Sequence, residues 1–550
     1  MKKTNFLILI FALLMMNSCQ FLNEEADFVV INANIYTLDE SFSKASAMAI
    51  KDGKILAVGD EKLLKTFSTQ LLIDANGGFI YPGFYDAHCH FLSYGVGKLK
   101  RADLSGTVSF DEVLDRVSAH AERNPSDWII GRGWDQNDWE VKEFPDREEL
   151  DKFFPDRPVY LTRIDGHAAL VNGEALRRAG ITGETTITGG EVILIDGVPT
   201  GVLIDNAMDL VSSLGPKNDD DIISAGLMAG QEDCFAVGLT SVMDAGLDVS
   251  DIRIIDSLQK NGELKMKINA MLSSADTNYV DFMKQGIYKT GRLHVNSIKL
   301  YADGALGSRG ACMIQEYSDD SGNHGLVMHG EDFYREVMGN AFKYNYQVNT
   351  HAIGDSGNRY TLDLYAEFLG GPNDRRWRVE HAQIVHEDDF QKFADYDIIP
   401  SVQATHATSD MYWAGDRVGA ERMKGAYAYN KLLVLNGWLP NGTDFPIENI
   451  SPLYTFYAAV ARKDLKGYPK GGFQMQDALN REDALRSITI WAAKGAFEES
   501  EKGSLEVGKD ADFVILEKDL MKVKESEIPY LEVRQTYING EAVYPSTIEF

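Results

Sequence analysis

Two histidines separated by one residue are the first candidates for chemistry in this chain. His88 and His90 lie at the end of an apolar run that predicts a β-strand. Side chains two residues apart on a strand point to the same side, so both imidazoles can reach one cation. A lone His-x-His pair also occurs on surfaces and in cores. The pair therefore indicates a metal site only if other ligands follow other strands.

Four further ligand-type side chains lie at or near the ends of predicted strands. His351, His381 and Asp444 each follow a strand-like run, and Lys299 lies inside one. Singly, each fits a core hydrogen bond, a surface charge or a helix cap. Together with the histidine pair they form a set of nitrogen and carboxylate ligands. Such a set suits zinc, or another divalent first-row metal, with a position open for water.

Eight predicted strands would have to position these side chains. Short β-branched and apolar runs alternate with longer helical stretches, which is typical of βα units around a parallel sheet. The predicted strands are residues 79–87, 239–244, 266–271, 297–302, 346–350, 377–380, 398–403 and 438–442. Eight such units fit an α/β fold of the (β/α)8 TIM-barrel type, in which all strand ends converge on one face. A doubly wound open sheet would explain the same alternation.

Both ends of the chain show short strands and turns. Residues 47–50 precede Asp52-Gly53, a pair typical of a tight hairpin turn, and residues 534–538 precede Asn539-Gly540. We expect residues 27–78 and 501–550 to pair as one small sheet domain. The barrel would then comprise a first strand unit, residues 79–96, and the rest, residues 231–500.

The stretch between the first two predicted strands is too long for an ordinary βα loop. Residues 97–230 therefore predict an inserted α/β subdomain. It contains a strand-like run at residues 158–162 and a helical run at residues 110–123.

The composition limits the partners and the covalent chemistry. The chain has 550 residues, of which 44% are hydrophobic, so it can bury a large core. Its formal net charge of -29 and the lack of a long basic run argue against nucleic acid. Cys89, Cys234 and Cys312 are scattered and odd in number, so no disulfide framework is expected.

The first residues predict export. A lysine pair at positions 2 and 3 precedes an apolar run, residues 6–16, which is too short to span a bilayer as a helix. The run ends at Met16-Asn17-Ser18-Cys19, which resembles a bacterial lipobox, although that pattern prefers Leu at the first position. We expect residues 1–18 to be a signal peptide, Cys19 to be lipidated, and residues 19–26 to tether the protein to the outer membrane in the periplasm. The alternative is an unmodified Cys19 after ordinary cleavage.

Several segments together resemble the amidohydrolase superfamily, and within it amidohydrolase family 3, which includes N-substituted formamide deformylases. The matching segments are residues 81–90, 299–309, 351–355, 380–381 and 443–446. The similarity covers nearly everything after Asp27. The resemblance implies a barrel joined to a small β-sandwich built from both chain ends, residues 27–78 and 501–550.

The resemblance also implies a role for each ligand. His88 and His90 would bind the more buried metal, with Asp444 beside it, and His351 and His381 would bind a second. Lys299 would bridge both as a carbamate made with carbon dioxide, because an ammonium cannot ligate a cation. Carboxylation and metal number vary in the family, so one zinc or two fits.

Further residues that border the pocket in that family have counterparts here. His167 would contact the substrate or transition state as a catalytic group, or would anchor the insert through hydrogen bonds. His406 lacks a strand-end partner set, although it follows the seventh predicted strand and could reach the pocket from there. The expected substrate-binding residues are Trp134, Asp135, Gln136, Asp303 and Arg309.

The resulting prediction is a metal-dependent amidohydrolase that cleaves carbon–nitrogen bonds other than peptide bonds in a small-molecule N-acyl, N-formyl or cyclic amide. A cation lowers the pKa of bound water from about 15.7 to about 7, which supplies hydroxide. Asp444 would take the proton and pass it to the leaving nitrogen. An esterase or lactonase at the same site, and a non-catalytic envelope binding protein, are the alternatives. A homodimer is also compatible with the sequence.

Overall fold

The computed structural model describes residues 24–545, and its central sheet has seven parallel strands. They pair in chain order, and the short strand Tyr288–Lys289 adds antiparallel to the fourth. A doubly wound sheet reverses its strand order at a switch point, so that alternative is wrong and the sheet fits a TIM-like barrel. The seven strands are Phe84–Cys89, Leu239–Leu247, Lys267–Ser273, Leu293–Tyr301, Gln347–Ala352, Arg378–His381 and Ile399–Ser401.

The predicted eighth strand is not a regular strand. Residues 438–445 pair with the seventh strand only around Val402, and with the first through the Asp444 N–H to the His88 carbonyl at 2.7 Å. Pro440 has no N–H to donate to a ladder. The Thr443 N–H and hydroxyl instead donate to the buried Asp86 carboxylate, at 3.0 and 2.7 Å. The segment therefore occupies the eighth position in irregular form.

The barrel strands are buried on both faces, as expected when helices cover the outside and side chains fill the inside. On the outside, Phe91–Lys100 and Asp220–Ala236 touch so closely that a Cβ at Gly95 would lie 2.0 Å from the Gly226 carbonyl oxygen. The other helices around the barrel are Val249–Lys260, Tyr279–Met283, Glu331–Tyr344, Asp355–Leu369, Phe390–Asp395, Ala404–Asp410, Ala414–Arg422, Tyr429–Asn436, Pro452–Ala461, Arg481–Ser487 and Ile490–Gly495.

A separate six-stranded sheet follows the first barrel unit. Its strands, in spatial order, are Ala102–Asp103, Ile129–Trp134, Val159–Arg163, Ala168–Val171, Val198–Asp205 and Gly190–Ile195. Helix Phe110–Arg123 packs its apolar side on this sheet and begins where the Ser109 hydroxyl accepts the Glu112 N–H. The shorter helices are Glu148–Phe153, Gly173–Ala179 and Asp209–Ser212. We call residues 101–215 the insert.

Strands from both ends of the described chain form two further sheets. Residues 79–87, predicted as one strand, divide at Gly83, so that Phe79–Pro82 pairs with Phe513–Leu516 and Phe84–Cys89 enters the barrel. The sheet that contains Phe79–Pro82 and Phe513–Leu516 has six strands, and the other four are Glu541–Tyr544, Val533–Ile538, Asn34–Tyr36 and Lys44–Ala45. The second of these two sheets has four strands, Lys54–Gly59, Ala47–Lys51, Phe28–Ile31 and Leu71–Asp74. Elsewhere, Glu24–Glu25 pairs with Phe67–Ser68, and Leu63–Thr66 is helical.

The hairpin turn predicted at Asp52-Gly53 is present, because both residues have positive φ, 50° and 74°. Within residues 24–545, no helix is long and apolar enough to cross a membrane.

Candidate metal centre

His88 lies fully buried at the end of the first barrel strand. Its Nδ1 lies 2.6 Å from Glu380 Oε2, which leaves Nε2 directed at the other ligand-type side chains. Nε2 lies 3.1 Å from Lys299 Nζ and 3.6 Å from Asp444 Oδ1. A carboxylate behind a ligating histidine sets its tautomer and ring orientation. The geometry therefore leaves Nε2 as the nitrogen that could ligate a metal.

Glu380 is itself held in place by Arg378, which precedes it on the same strand. Arg378 Nε donates to Glu380 Oε1 at 2.6 Å, and Arg378 Nη2 donates to the Ala87 carbonyl at 2.8 Å. Burial alone would raise the pKa of Glu380, but the charges of Arg378 and His88 outweigh it and lower the pKa to about 2. Glu380 is thus an ionised support, a role that the sequence alone did not assign.

Asp444 reaches the same cluster from the irregular eighth segment. Its Oδ1 lies 3.4 Å from His90 Nε2, and the other His90 nitrogen, Nδ1, lies 3.2 Å from the Ala245 carbonyl oxygen. Asp444 and His381 both have left-handed backbone, with φ of 62° and 73°. Such conformations cost about 1–3 kcal/mol for residues other than glycine and cluster at functional sites.

His351 and His381 stand at the ends of the fifth and sixth strands. Their ring centroids are 4.5 Å apart, and that of His381 is 5.0 Å from that of His88. Burial holds the pKa of both His351 and His381 well below the ordinary value, so both imidazoles are neutral. Neutral imidazole is the form that ligates metals.

Lys299 lies fully buried in the fourth strand beside these rings. Burial lowers the pKa of its amine to about 8. The amine is therefore partly neutral near physiological pH, and the neutral amine is the form that can combine with carbon dioxide. This chemistry fits the carbamate prediction, which itself stays a prediction.

The donor set fits a divalent metal. His88, His381 and Asp444 offer donor atoms that lie within 4.8 Å of one another. Asp444 Oδ1 and His381 Nδ1 are buried without a hydrogen bond. Most buried polar atoms have a hydrogen-bond partner, so two unpartnered atoms in one cluster of possible ligands point to an additional ligand. We call the group the histidine floor: His88, His90, Lys299, His351, His381 and Asp444.

His406 also reaches this floor and borders the pocket, as its place after the seventh predicted strand allowed. Its Nε2 lies 3.4 Å from Asp444 Oδ2, and its Nδ1 lies 3.0 Å from Glu448 Oε1. Burial would lower the pKa of His406, but these two carboxylates outweigh it and raise the pKa to about 10. The available signal was its place shortly after the seventh strand. What the sequence did not reveal was its two carboxylate partners.

Above the floor lies a pocket of about 690 Å³, closed on one side by the insert. The residues that border the pocket there include Arg132, Asp135, Arg163, Asp165, His167 and Asp205, which we call the insert wall. Because the barrel contributes the floor and the insert contributes this wall, a substrate in the pocket would touch both.

His167 is directed from the wall toward the floor. Its ring centroid lies 4.9 Å from that of His351, and its Nδ1 lies 2.6 Å from Asp205 Oδ1. Burial lowers the pKa of His167, but Asp205 outweighs it and the pKa is raised overall. Asp205 was not singled out from the sequence. It is packed against the barrel, since a Cβ at Gly304 would lie 2.2 Å from its carboxylate.

The other predicted substrate contacts have different surroundings. Asp135 borders the pocket, paired with Arg163. Trp134 is only 1% exposed and donates to the Leu161 carbonyl, and the Gln136 amide oxygen accepts from Arg163.

Asp303 and Arg309 also have protein partners. The buried Asp303 carboxylate accepts backbone N–H groups of Ile353, Cys312 and Gly354. Arg309 pairs with Asp319. Both residues therefore hold loops together in this structure, and their contact with substrate stays a prediction.

Comparison with known proteins places the chain in a family. The sequence model of the family described as Amidohydrolase family, Amidohydro_3, matches residues 71–544 of this chain. The chain is 33% identical over 542 residues to Protein LONG AFTER FAR-RED 3 of Arabidopsis thaliana, covering 94% of this chain and 92% of that protein. It is 27% identical over 550 residues to the N-substituted formamide deformylase of Arthrobacter pascens, covering 95% and 99%.

A solved structure supports the same family relationship. An uncharacterized metal-dependent hydrolase from Pyrococcus horikoshii OT3 matches with a TM-score of 0.74 at 28% identity, covering 90% of this chain and 99% of that chain. The chain belongs to the amidohydrolase family, as the sequence predicted. It is a metal-dependent hydrolase that acts on carbon–nitrogen bonds.

Proposed function

We propose that the enzyme hydrolyses a small-molecule amide other than a peptide, of the N-acyl, N-formyl or cyclic kind. The observation that carries the proposal is the Asp444 carboxylate, which lies between the imidazoles of His88 and His90 on one side and His406 on the other, beneath an open pocket. The full-length similarity to an N-substituted formamide deformylase supports the same class of bond.

His88, His90 and Asp444 would hold one zinc ion, and His351 and His381 would hold a second, with Lys299 between them as a carbamate. Bound zinc lowers the pKa of a water molecule to about 7 and polarises a carbonyl group. The neutral state of the buried His351 and His381 imidazoles supports this assignment. The 3.1 Å separation of Lys299 Nζ from His88 Nε2 also supports it, since Lys299 would reach the same ions.

Asp444 would act as the general base and then as the general acid. Burial alone would raise the pKa of Asp444, but the nearby imidazoles of His406 and His90 outweigh it and hold the pKa well below the ordinary value. An ionised Asp444 can take a proton from the attacking water at Oδ1 or Oδ2. It can then give that proton to the amide nitrogen, which must be protonated before it leaves.

His167 would bind the substrate carbonyl oxygen from the opposite side. Asp205 occupies Nδ1, so Nε2 is left to donate a hydrogen bond into the pocket. A donor held in this way stabilises the negative charge that develops on the oxygen during attack, without reorganising at that moment.

The test compares matched amide and ester substrates on the full chain loaded with zinc. N-Benzylformamide and benzyl formate share the same acyl group, and we expect hydrolysis of both. Asp444→Asn should lower amide turnover at least a hundredfold and ester turnover less, because an alkoxide needs less protonation than an amine. Ester hydrolysis without amide hydrolysis would instead favour the esterase alternative. Near-normal amide turnover by Asp444→Asn, with unchanged zinc content, would exclude Asp444 as the base.

We propose in addition that the protein is a lipoprotein of the bacterial envelope. Cys19 and the signal peptide lie outside the described residues, so the proposal rests on the amino-acid pattern. In a bacterial host, the chain should incorporate labelled palmitate and fractionate with membranes, and Cys19→Ala should lose both properties. Labelling that survives Cys19→Ala would contradict the proposal.

A further inference from the structure

Two arginines of the insert wall lie on adjacent strands and differ in their partners. Arg163 uses its whole guanidinium: Nε donates to the Gln136 amide oxygen at 2.8 Å, Nη1 pairs with Asp165 at 2.6 Å, and Nη2 pairs with Asp135. Arg163 is 1% exposed, and its positive charge is balanced by the two carboxylates. Arg163 is therefore a structural cation that joins the strands and loops of the wall.

Arg132 borders the same pocket without a comparable set of acceptors. Its Nη2 donates to the Ile164 carbonyl at 2.9 Å, and its Nε is buried with no hydrogen bond. Among residues 24–545, no carboxylate forms an ion pair with it. The two carboxylates whose charges act on it most strongly, Asp165 and Asp444, have other partners. A partly buried cation in this state lacks the compensation that such groups usually have.

A second cation makes the same corner more positive. Burial and, after it, the charge of Arg101 lower the pKa of Arg132 to about 10, and Arg101 likewise has no ion pair within the described residues. Arg101 Nη1 donates to the Ser93 hydroxyl at 3.4 Å, and Ser93 borders the pocket. Gly166 packs against the Arg132 guanidinium, because a Cβ there would lie 3.4 Å from Nη2. The corner therefore contains two cations without an ion pair in the described part of the chain, and one of them, the Arg132 guanidinium, borders the pocket.

We propose that Arg132 binds a carboxylate of the substrate, so that the preferred amides are anionic, of the N-acyl amino acid kind. A planar guanidinium presents parallel N–H groups that match the two oxygens of a carboxylate. A substrate held there by its carboxylate would extend over the histidine floor, which borders the same pocket. The inference rests on the proposed amide hydrolysis and adds the charge of the substrate.

Two formamides that differ only by a carboxylate test the proposal. N-Formylphenylalanine and N-(2-phenylethyl)formamide are compared on the zinc-loaded full chain. We expect kcat/KM to favour the carboxylate at least tenfold, and Arg132→Met to reduce this preference by about 10- to 100-fold, the range for a hydrogen-bonded charge. Arg177→Gln, which removes an exposed arginine of the insert far from the pocket lining, should keep the wild-type preference. Equal kcat/KM for both substrates in the wild type would overturn the proposal.

A binding measurement separates failure of this proposal from failure of the proposed function. By calorimetry, 3-phenylpropanoate should bind the wild type at least tenfold more tightly than Arg132→Met, whether or not either formamide is hydrolysed. If neither formamide reacts, amide hydrolysis of this kind is wrong, and calorimetry alone decides the anion site. Equal binding by both proteins would overturn it. Should Arg132→Met fail to fold, Arg132→Lys replaces it, because lysine keeps the charge and loses the planar fork, which predicts a partial loss.

Discussion

The histidine floor and the insert wall differ in how their charges are compensated. On the floor, Asp444 lies against three imidazoles and Glu380 joins His88 to Arg378, so each ionised carboxylate has a cation or donor beside it. On the wall, the charge of Arg163 is paired with two carboxylates, Asp135 and Asp165, whereas Arg132 forms no ion pair with any described residue. The floor is thus preorganised for chemistry, whereas the wall keeps binding capacity for a substrate.

The two regions also differ in how the chain builds them. The floor comes from the ends of barrel strands, where successive units bring distant residues to one face. The wall comes from strands and loops of an insert that is held to the barrel by contacts such as Asp205 against Gly304 and Gly310. Changes on the floor should therefore remove chemistry outright, and changes on the wall should reduce it by degrees.

The largest effect is expected from His88→Ala on the floor. Removing one donor atom should lower the zinc content and reduce turnover at least a thousandfold, because both the cation and its chemistry depend on the site. Elemental analysis and steady-state kinetics measure the two effects. His386→Ala, at an exposed histidine, is the matched control and should retain both. Full zinc content in His88→Ala would remove it from the ligand set.

A smaller effect is expected from His167→Gln on the wall. We expect kcat to fall by about a hundredfold with unchanged zinc content, because a donor to the developing charge is lost while the floor stays intact. Asp205→Asn should reproduce part of the loss, because Asp205 positions His167. A rise in KM with kcat unchanged would instead assign His167 to substrate binding alone.

The His406→Asn substitution should change the pH dependence of kcat/KM. The His406 imidazole, 3.4 Å from Asp444 Oδ2, helps to hold the pKa of Asp444 low, so removing that ring should raise the pKa. The base works only when ionised. The acid limb of the kcat/KM profile should therefore move to higher pH, with about tenfold lower activity at pH 6 and a smaller loss at pH 8. An unshifted acid limb would show that another group controls it.

The smallest effect is expected from Trp134→Phe in the insert core. Loss of the indole hydrogen bond to Leu161 should lower the free energy of unfolding by about 1 kcal/mol, with kinetics almost unchanged. Denaturant unfolding and steady-state kinetics would check this. A change in KM without a change in stability would instead place Trp134 in contact with substrate, as the sequence predicted.

Much of the barrel could be predicted because its signals are local. Seven of the eight predicted strands are present, since apolar runs bounded by turns report burial directly. The prediction of a regular eighth strand was wrong at Pro440 and Thr443, because Thr443 donates to the Asp86 carboxylate and not to a neighbouring strand. Asp86 lies 357 positions away from Thr443, and no local pattern reveals such a contact.

The sequence by itself determined which side chains could serve as ligands, because residue chemistry and the two-residue period of a strand are properties of the chain. It placed His88, His90, His351, His381 and Asp444 near strand ends, and the barrel brings them together. Only the tertiary structure decided which charges are compensated. The pairing of His406 with Asp444, the support of His167 by Asp205 and the unpaired guanidinium of Arg132 all depend on contacts between distant segments, which packing sets.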